Sequence, residues 1–267
     1  MTEQATLRTI SPVPGYDEVV ERNQIDMLLK PGDLTVRNGD IAVTKWGDLM
    51  LVNEDYGAFV KLVQEWRFNY PTLKIMFETV FETFERQRRI VEETESSFPR
   101  PTSSYPHPLF NPTMDFAAYH RLLDEDGAAE VARDTYAGAA VIVLAKALQS
   151  FKDNIVATRG EWAKAGPHFG GCSLGEIFEA TGNNVRHNDE WAKTRPPTLQ
   201  QLPSIKILAA ALQEPIAPDG NRHGLAREVS PEILQLVSDG DFAQLERAIF
   251  AFAKNLLAER QRRQSCQ

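Results

Sequence analysis

The stretch Ala137–Leu148, AGAAVIVLAKAL, does most to constrain the fold. It is small and apolar on every side, and only Lys146 interrupts it. A helix apolar all round has no face to give to water, so it must sit at the centre of a bundle. It is also far shorter than the ~20 residues a membrane span requires. The pattern around it runs from about Ala128 through Tyr136, Val141, Leu144, Leu148 and Phe151 to about Thr158, and predicts one long central helix preceded by a shorter one over 115–123. Further helices are expected after Ser173, where Glu176 completes a capping box, over 204–212, after Ser230-Pro231-Glu232, and from an Asp241 cap along Phe242, Leu245, Ile249, Phe252 and Leu256.

The first third of the chain reads differently. Residues 1–30 are polar and suggest an irregular arm. A Gly-Asp unit then appears three times, as Gly32-Asp33, Gly39-Asp40 and Gly47-Asp48, each followed by a short β-prone run. Asn38-Gly39 is a strong hairpin signal, because both positions accept positive φ. The expected structure is a three-stranded β-meander. Two helices should follow, one after Asn53 with Tyr56, Phe59, Val60, Val63 and Trp66 on one face. The other should start at Pro71, with Leu73, Met76, Phe77, Val80, Phe81 and Phe84 as a core stripe. Residues 96–113, SSFPRPTSSYPHPLFNPT, hold five prolines and cannot form a regular helix or a central strand. The expected architecture is therefore mainly α. A small α+β module (30–97) with the meander and two helices precedes a Pro/Ser-rich linker (98–112) and a C-terminal helical bundle (113–261).

Composition narrows the function classes. The chain has 267 residues and a net charge of −8, with no clustered basic face of the kind expected of a nucleic-acid-binding domain. Two cysteines, Cys172 and Cys266, do not make a disulfide scaffold. The N-terminus lacks a signal-peptide pattern. These features point to a cytoplasmic protein without membrane association. Arg86, Arg88 and Arg89, and Arg260, Arg262 and Arg263, are expected at helix ends, where they would complement the helix dipole; a phosphate-contacting patch is the alternative.

The stretch with chemical content is Gly182–Trp191. At helical spacing Asn183, Arg186, His187 and Glu190 share one face, with Asn184 beside them. Arginine binds phosphate with a planar fork, and histidine moves protons near neutral pH. Together they supply what cleavage of RNA to a 2′,3′-cyclic phosphate needs: a group that activates the 2′-hydroxyl and a cation for the phosphorane. Asn183, Asn184 and Glu190 are then candidate substrate contacts. An Arg186–Glu190 pair that only stabilises the helix is the structural alternative. A metal set of His187 and Glu190 with Glu176 or Glu179 lacks a supporting motif, as does any nucleotide-binding glycine loop. Cys172, after two glycines and before a helix N-terminus, is a further candidate nucleophile, with His168 four residues away.

A long apolar helix followed by one bearing Asn-x-x-Arg-His-x-x-Glu-Trp resembles the HEPN superfamily of small helical bundles, over about residues 115–260. Many members act in bacterial defence, toxin–antitoxin pairs or RNA processing, often as dimers with a ribonuclease site across the interface. The family pattern is Arg, four to six residues, then His. Arg186 takes the place of the motif arginine, but Trp191, Ala192 and Lys193 occupy the positions where the histidine would stand, and His187 follows Arg186 directly. The resemblance implies an RNA-associated homodimer in bacterial defence or stress response and carries over Arg186 alone; the chemistry of the polar face adds His187 as acid/base, and together they give a metal-independent ribonuclease with Arg186 and His187 as catalytic residues and no cofactor. The alternative is a non-catalytic interaction protein whose bundle mediates dimerisation or partner binding.

Overall fold

The computed structural model describes residues 10–25, 34–37, 41–44, 54–98, 115–194, 196–217 and 224–265. The element order is α1 (Tyr16–Arg22), β1 (Leu34–Arg37), β2 (Ile41–Thr44), α2 (Glu54–Ser97), α3 (Phe116–Asn154), α4 (Arg159–Lys164), β3 (His168–Phe169), β4 (Cys172–Ser173), α5 (Leu174–Lys193), α6 (Gln201–Leu212), α7 (Ser230–Ser238) and α8 (Phe242–Ser265). The chain is mainly helical. No helix among the described residues is long and apolar enough to cross a membrane.

The expected three-stranded meander is corrected. Among the described residues the sheet in this region has two strands. β1 and β2 pair antiparallel, with Leu34 opposite Thr44 and Arg37 opposite Ile41. Asn38-Gly39, the hairpin signal in the sequence, lies outside the described residues. A repeated Gly-Asp marks a reversal without supplying a partner edge, and the third unit, 47–52, lies outside the described residues. The proline-rich linker of 98–112 also lies outside them, apart from Phe98.

The two helices expected between 53 and 97 are one. α2 runs 44 residues with Pro71 inside it, so Arg86, Arg88 and Arg89, expected at a helix end, lie within the helix, whose last turn has no basic residue. Proline removes one donor, so the Arg67 carbonyl loses its helical partner. Packing outweighs that loss. Trp66, Leu73, Met76, Phe77 and Val80 are buried on both sides of the proline, and each large apolar side chain removed from water contributes ~1.5–3 kcal/mol. Asn69, which reads as a breaker, donates its side-chain amide to the Glu65 carbonyl within the same helix at 2.7 Å. The same override joins the two helices expected over 115–158 into α3, which passes through Gly127 without a break.

α3 is the central helix its composition requires. Ala137, Ala140, Val141, Leu144, Leu148 and Phe151 are all buried. It lies antiparallel to α2, with Glu65 accepting from Ser150 and Asp126 from Gln87 along the seam. It also packs on α5, α7 and α8. α2 therefore shares one core with the bundle that follows the proline-rich stretch. An aromatic group fastens α2 to α8, with Trp66 stacked on Phe242 at 5.7 Å between ring centres.

The segment expected to be irregular contains α1, and its anchor is a buried carboxylate. Glu246 of α8, 2% exposed, accepts from Arg22 through both oxygens (2.8 and 3.0 Å), from the Asn23 amide (2.7 Å) and from the Trp66 indole (3.1 Å). Burying an acid is tolerated because every lone pair faces a donor.

Candidate functional site

α5 carries the polar cluster, and the sequence sets its start. Ser173 accepts from the Glu176 amide while Glu176 accepts from the Ser173 amide, the reciprocal pair expected of a capping box. Just before it, Gly170 and Gly171 adopt positive φ (57° and 81°), which closes the β3–β4 hairpin. Leu174, Ile177, Phe178 and Ala180 enter the core. From Gly182 onward the opposite face turns outward.

The candidate residues divide into two groups. Asn184 belongs to the interior. It is fully buried, its side-chain nitrogen donates to the Leu225 and Arg227 carbonyls (both 3.0 Å), and its oxygen accepts from the Val229 amide (3.2 Å). Its amide spans α5 to the 225–229 strap that leads into α7, and those three bonds occupy both its hydrogens and its carbonyl. This explains why an asparagine sits here and leaves little of it to meet a substrate.

Asn183, His187 and Glu190 line a groove of about 570 Å³ between the C-terminal half of α5 and the start of α6, together with Trp191, Lys193, Thr194, Thr198, Gln200, Gln201 and Ser204. Asn183 donates to the Ser204 hydroxyl at 3.1 Å, which ties α5 to α6. Thr198 and Gln201 cap each other reciprocally, Gln201 accepting from the Thr198 amide at 2.9 Å and Thr198 from the Gln201 amide at 3.2 Å. Those bonds fix the groove's outer rim. His187 faces Glu190 with Nδ1 3.3 Å from the carboxylate. Both side chains are exposed, so the pair adds little stability; its consequence is orientation, since it holds one ring nitrogen and leaves Nε2 free.

Arg186 is also exposed and makes no hydrogen bond or ion pair among the described residues. The expected Arg186–Glu190 pair is not made: Glu190 faces His187 instead. The guanidinium leans back along α5 toward Gly182, one terminal nitrogen lying 3.9 Å from where a side chain there would begin. Gly182 faces Ala145 and Ile142 of α3, so the Arg186 guanidinium leans toward the α3 side of α5, and Arg186 is not among the residues that line the groove.

The remaining candidates separate from the cluster. Burial, and then the charge of Glu176, push the Cys172 thiol up, and its sulfur faces the Ile207 carbonyl at 3.8 Å. A thiol so placed is a poor nucleophile at neutral pH, which corrects the expectation of a stabilised thiolate. His168 is exposed, with Nε2 3.1 Å from the Ala163 carbonyl. Arg222-His223, a pair in a glycine-flanked stretch of the sequence that is also a candidate to join the cluster, lies outside the described residues. Among the described residues no three His, Cys, Asp or Glu side chains gather as a metal set.

Sequence reading missed a second concavity. A cleft of about 1240 Å³ lies between α2 and the start of α8, floored by Tyr70, Phe77, Phe81 and Phe242 and rimmed by Lys74, Glu78, Arg86 and Arg89. The available signal was the length of the aromatic stripe, whose far end, Phe81 and Phe84, is only partly buried. No family model matches the chain, and no curated protein or solved structure matches it.

Proposed function

We propose that the chain is an HEPN-like, RNA-associated cytoplasmic protein that cleaves RNA without a metal, Arg186 and His187 forming the reactive pair. The observation that carries this reading is an exposed guanidinium without a partner among the described residues, next in sequence to an imidazole that faces Glu190. In the proposed reaction the free nitrogen of His187 takes the proton of a 2′-hydroxyl, and the 2′-oxygen attacks the adjacent phosphorus. Arg186 stabilises the charge of the phosphorane. The bond to the 5′-oxygen breaks, that oxygen takes a proton from water, and a 2′,3′-cyclic phosphate remains. The test is cleavage of single-stranded RNA in EDTA by wild type, Arg186→Ala and His187→Ala, with folding followed by circular dichroism. Loss of cleavage in each folded variant is expected; unchanged cleavage in both refutes the assignment.

A second reading, a non-catalytic interaction protein, has its own observation. Beyond the main core, α2 and α3 continue as a two-helix arm with a small interior of Ile90, Leu122 and Ala129. On the outside of that arm Val91, Phe116, Leu123 and Val131 are exposed, from 36% to 68%. Phe116, Leu123 and Val131 lie on one face of α3 at helical spacing. An unpartnered apolar stripe is a feature of association surfaces. This reading expects no RNA turnover by folded wild type. It also expects an oligomer or stable complex that Leu123→Asp and Val131→Asp dissociate, as read by sedimentation velocity.

A further inference from the structure

We infer that the groove between α5 and α6 receives one unstacked base of a single-stranded RNA, while Arg186 beside it takes the neighbouring phosphate. The inference rests on the RNA-directed reading and adds the part of the substrate that would be recognised.

Three observations carry it. The first is the chemistry of the lining. Asn183, Thr194, Thr198, Gln200, Gln201 and Ser204 present amides and hydroxyls to one concavity. Such groups match the mixed donors and acceptors of a base edge, and the single lysine of the lining, Lys193, is offset by Glu190, whereas a phosphate site would be lined mainly by cations. Gln200 is exposed and has no hydrogen bond among the described residues, so its amide is available to a ligand. Trp191, 3% exposed, adds an apolar indole to the wall. The second observation is size. At about 570 Å³ the groove falls within the ~300–1,000 Å³ of small-ligand sites, and suits a splayed nucleotide better than a duplex. The third is local charge. In a chain of net charge −8, residues 183–206 hold four Lys or Arg (Arg186, Lys193, Arg195 and Lys206) against two acids. This segment can attract a polyanion that the rest of the surface repels.

The division of labour gives distinguishable signatures. Base contacts specify, whereas phosphate contacts position and bring salt dependence. The experiment measures fluorescence anisotropy of labelled eight-nucleotide RNAs (oligo-A, oligo-U, oligo-C and an abasic strand of equal length) across a salt series. Wild type, Asn183→Ala, Gln200→Ala and Arg186→Ala are compared. Gln200 is exposed and caps nothing, so its variant folds even if loss of the Asn183–Ser204 bond loosens α5 from α6. Expected for Gln200→Ala is a loss of roughly five- to tenfold on the preferred base and a flattened preference among homopolymers, with abasic binding unchanged. Expected for Arg186→Ala is weaker binding to every strand and a salt slope smaller by ~0.7, the value for one single-strand phosphate. If wild type binds or cleaves RNA while Gln200→Ala and Asn183→Ala keep the base preference, the base-site inference is overturned and the RNA reading stands. If wild type binds none of the strands and cleaves none, both fall together.

Discussion

Replacing Asn184 with alanine separates a residue of the fold from a residue of the site. The side chain is fully buried and makes three hydrogen bonds to backbone, at 3.0, 3.0 and 3.2 Å. Alanine leaves two carbonyls and one amide of the 225–229 strap without partners. Each buried group left unsatisfied costs ~1–3 kcal/mol. Leu225 and Val229 on either side of the gap are fully buried, so water enters poorly. Partial relaxation of the strap offsets some of the loss, and the expected net destabilisation is about 3–5 kcal/mol. For a chain of this length that lowers Tm by roughly 6–10 °C. The assay is thermal and urea unfolding followed at 222 nm, with RNA cleavage measured well below Tm. A drop of Cm at unchanged m, with cleavage retained, supports the strap. A wild-type Tm together with lost cleavage refutes the argument and returns Asn184 to the substrate site.

Three further outcomes follow from particular residues. Gly170 has φ of +57°, and a Cβ there would lie 2.0 Å from the Ala210 carbonyl oxygen, so Gly170→Ala combines backbone strain with a clash and should cost about 3 kcal/mol or more; a wild-type Tm contradicts this. Burial pushes the Glu228 carboxyl up, against hydrogen bonds from Ser230 and with the charge of Asp134 reinforcing the shift. The folded protein therefore holds that proton more tightly than the unfolded chain, and the stability this adds is full below the ordinary glutamate value of ~4.3 and lost as pH rises through the raised one. Glu228→Gln is accordingly expected to melt above wild type at pH 7–8, with the gap closing toward pH 4; a gap constant with pH refutes it. Because its thiol is pushed up by burial and by Glu176, Cys172 should react with iodoacetamide at pH 7.5 more slowly than an exposed cysteine peptide, read from its own proteolytic fragment by mass spectrometry, and faster reaction would contradict the assignment.

What could be read from the sequence depended on whether the signal was local. Capping chemistry is local. Ser173 with Glu176 placed the start of α5, and Asp241, whose carboxylate accepts from the Ala243 amide at 2.9 Å, placed that of α8. The apolar run 137–148 gave the central helix for the same reason. Pro71 and Gly127 misled because their cost is also local, one hydrogen bond or some backbone entropy, whereas what outweighs it comes from side chains distant in sequence. α1 was missed for a related reason. Seven residues do not hold a helix alone, and its partner, Glu246, stands 224 positions from Arg22.

The polar cluster on α5 shows the same limit at the site itself. Period 3.6 put Asn183, Arg186, His187 and Glu190 on one face, and all four carry polar groups to the outside of the helix. Asn184, one step round, is indistinguishable from Asn183 in composition. Yet 100° of rotation moves it from the groove to the interior, where its amide meets a strap more than forty residues downstream. α5 is thereby held on two sides: at Asn184 by that strap, and at Asn183 by Ser204 of α6. Arg186 and His187 follow these fixed points within one turn, on a helix whose inner face is locked into the core. These two exposed side chains, His187 on the groove wall and Arg186 outside it, gain positional definition from that double attachment. This is why loss of the Asn184 bonds should be felt first as lost stability, while loss of the Asn183–Ser204 bond should be felt at the groove.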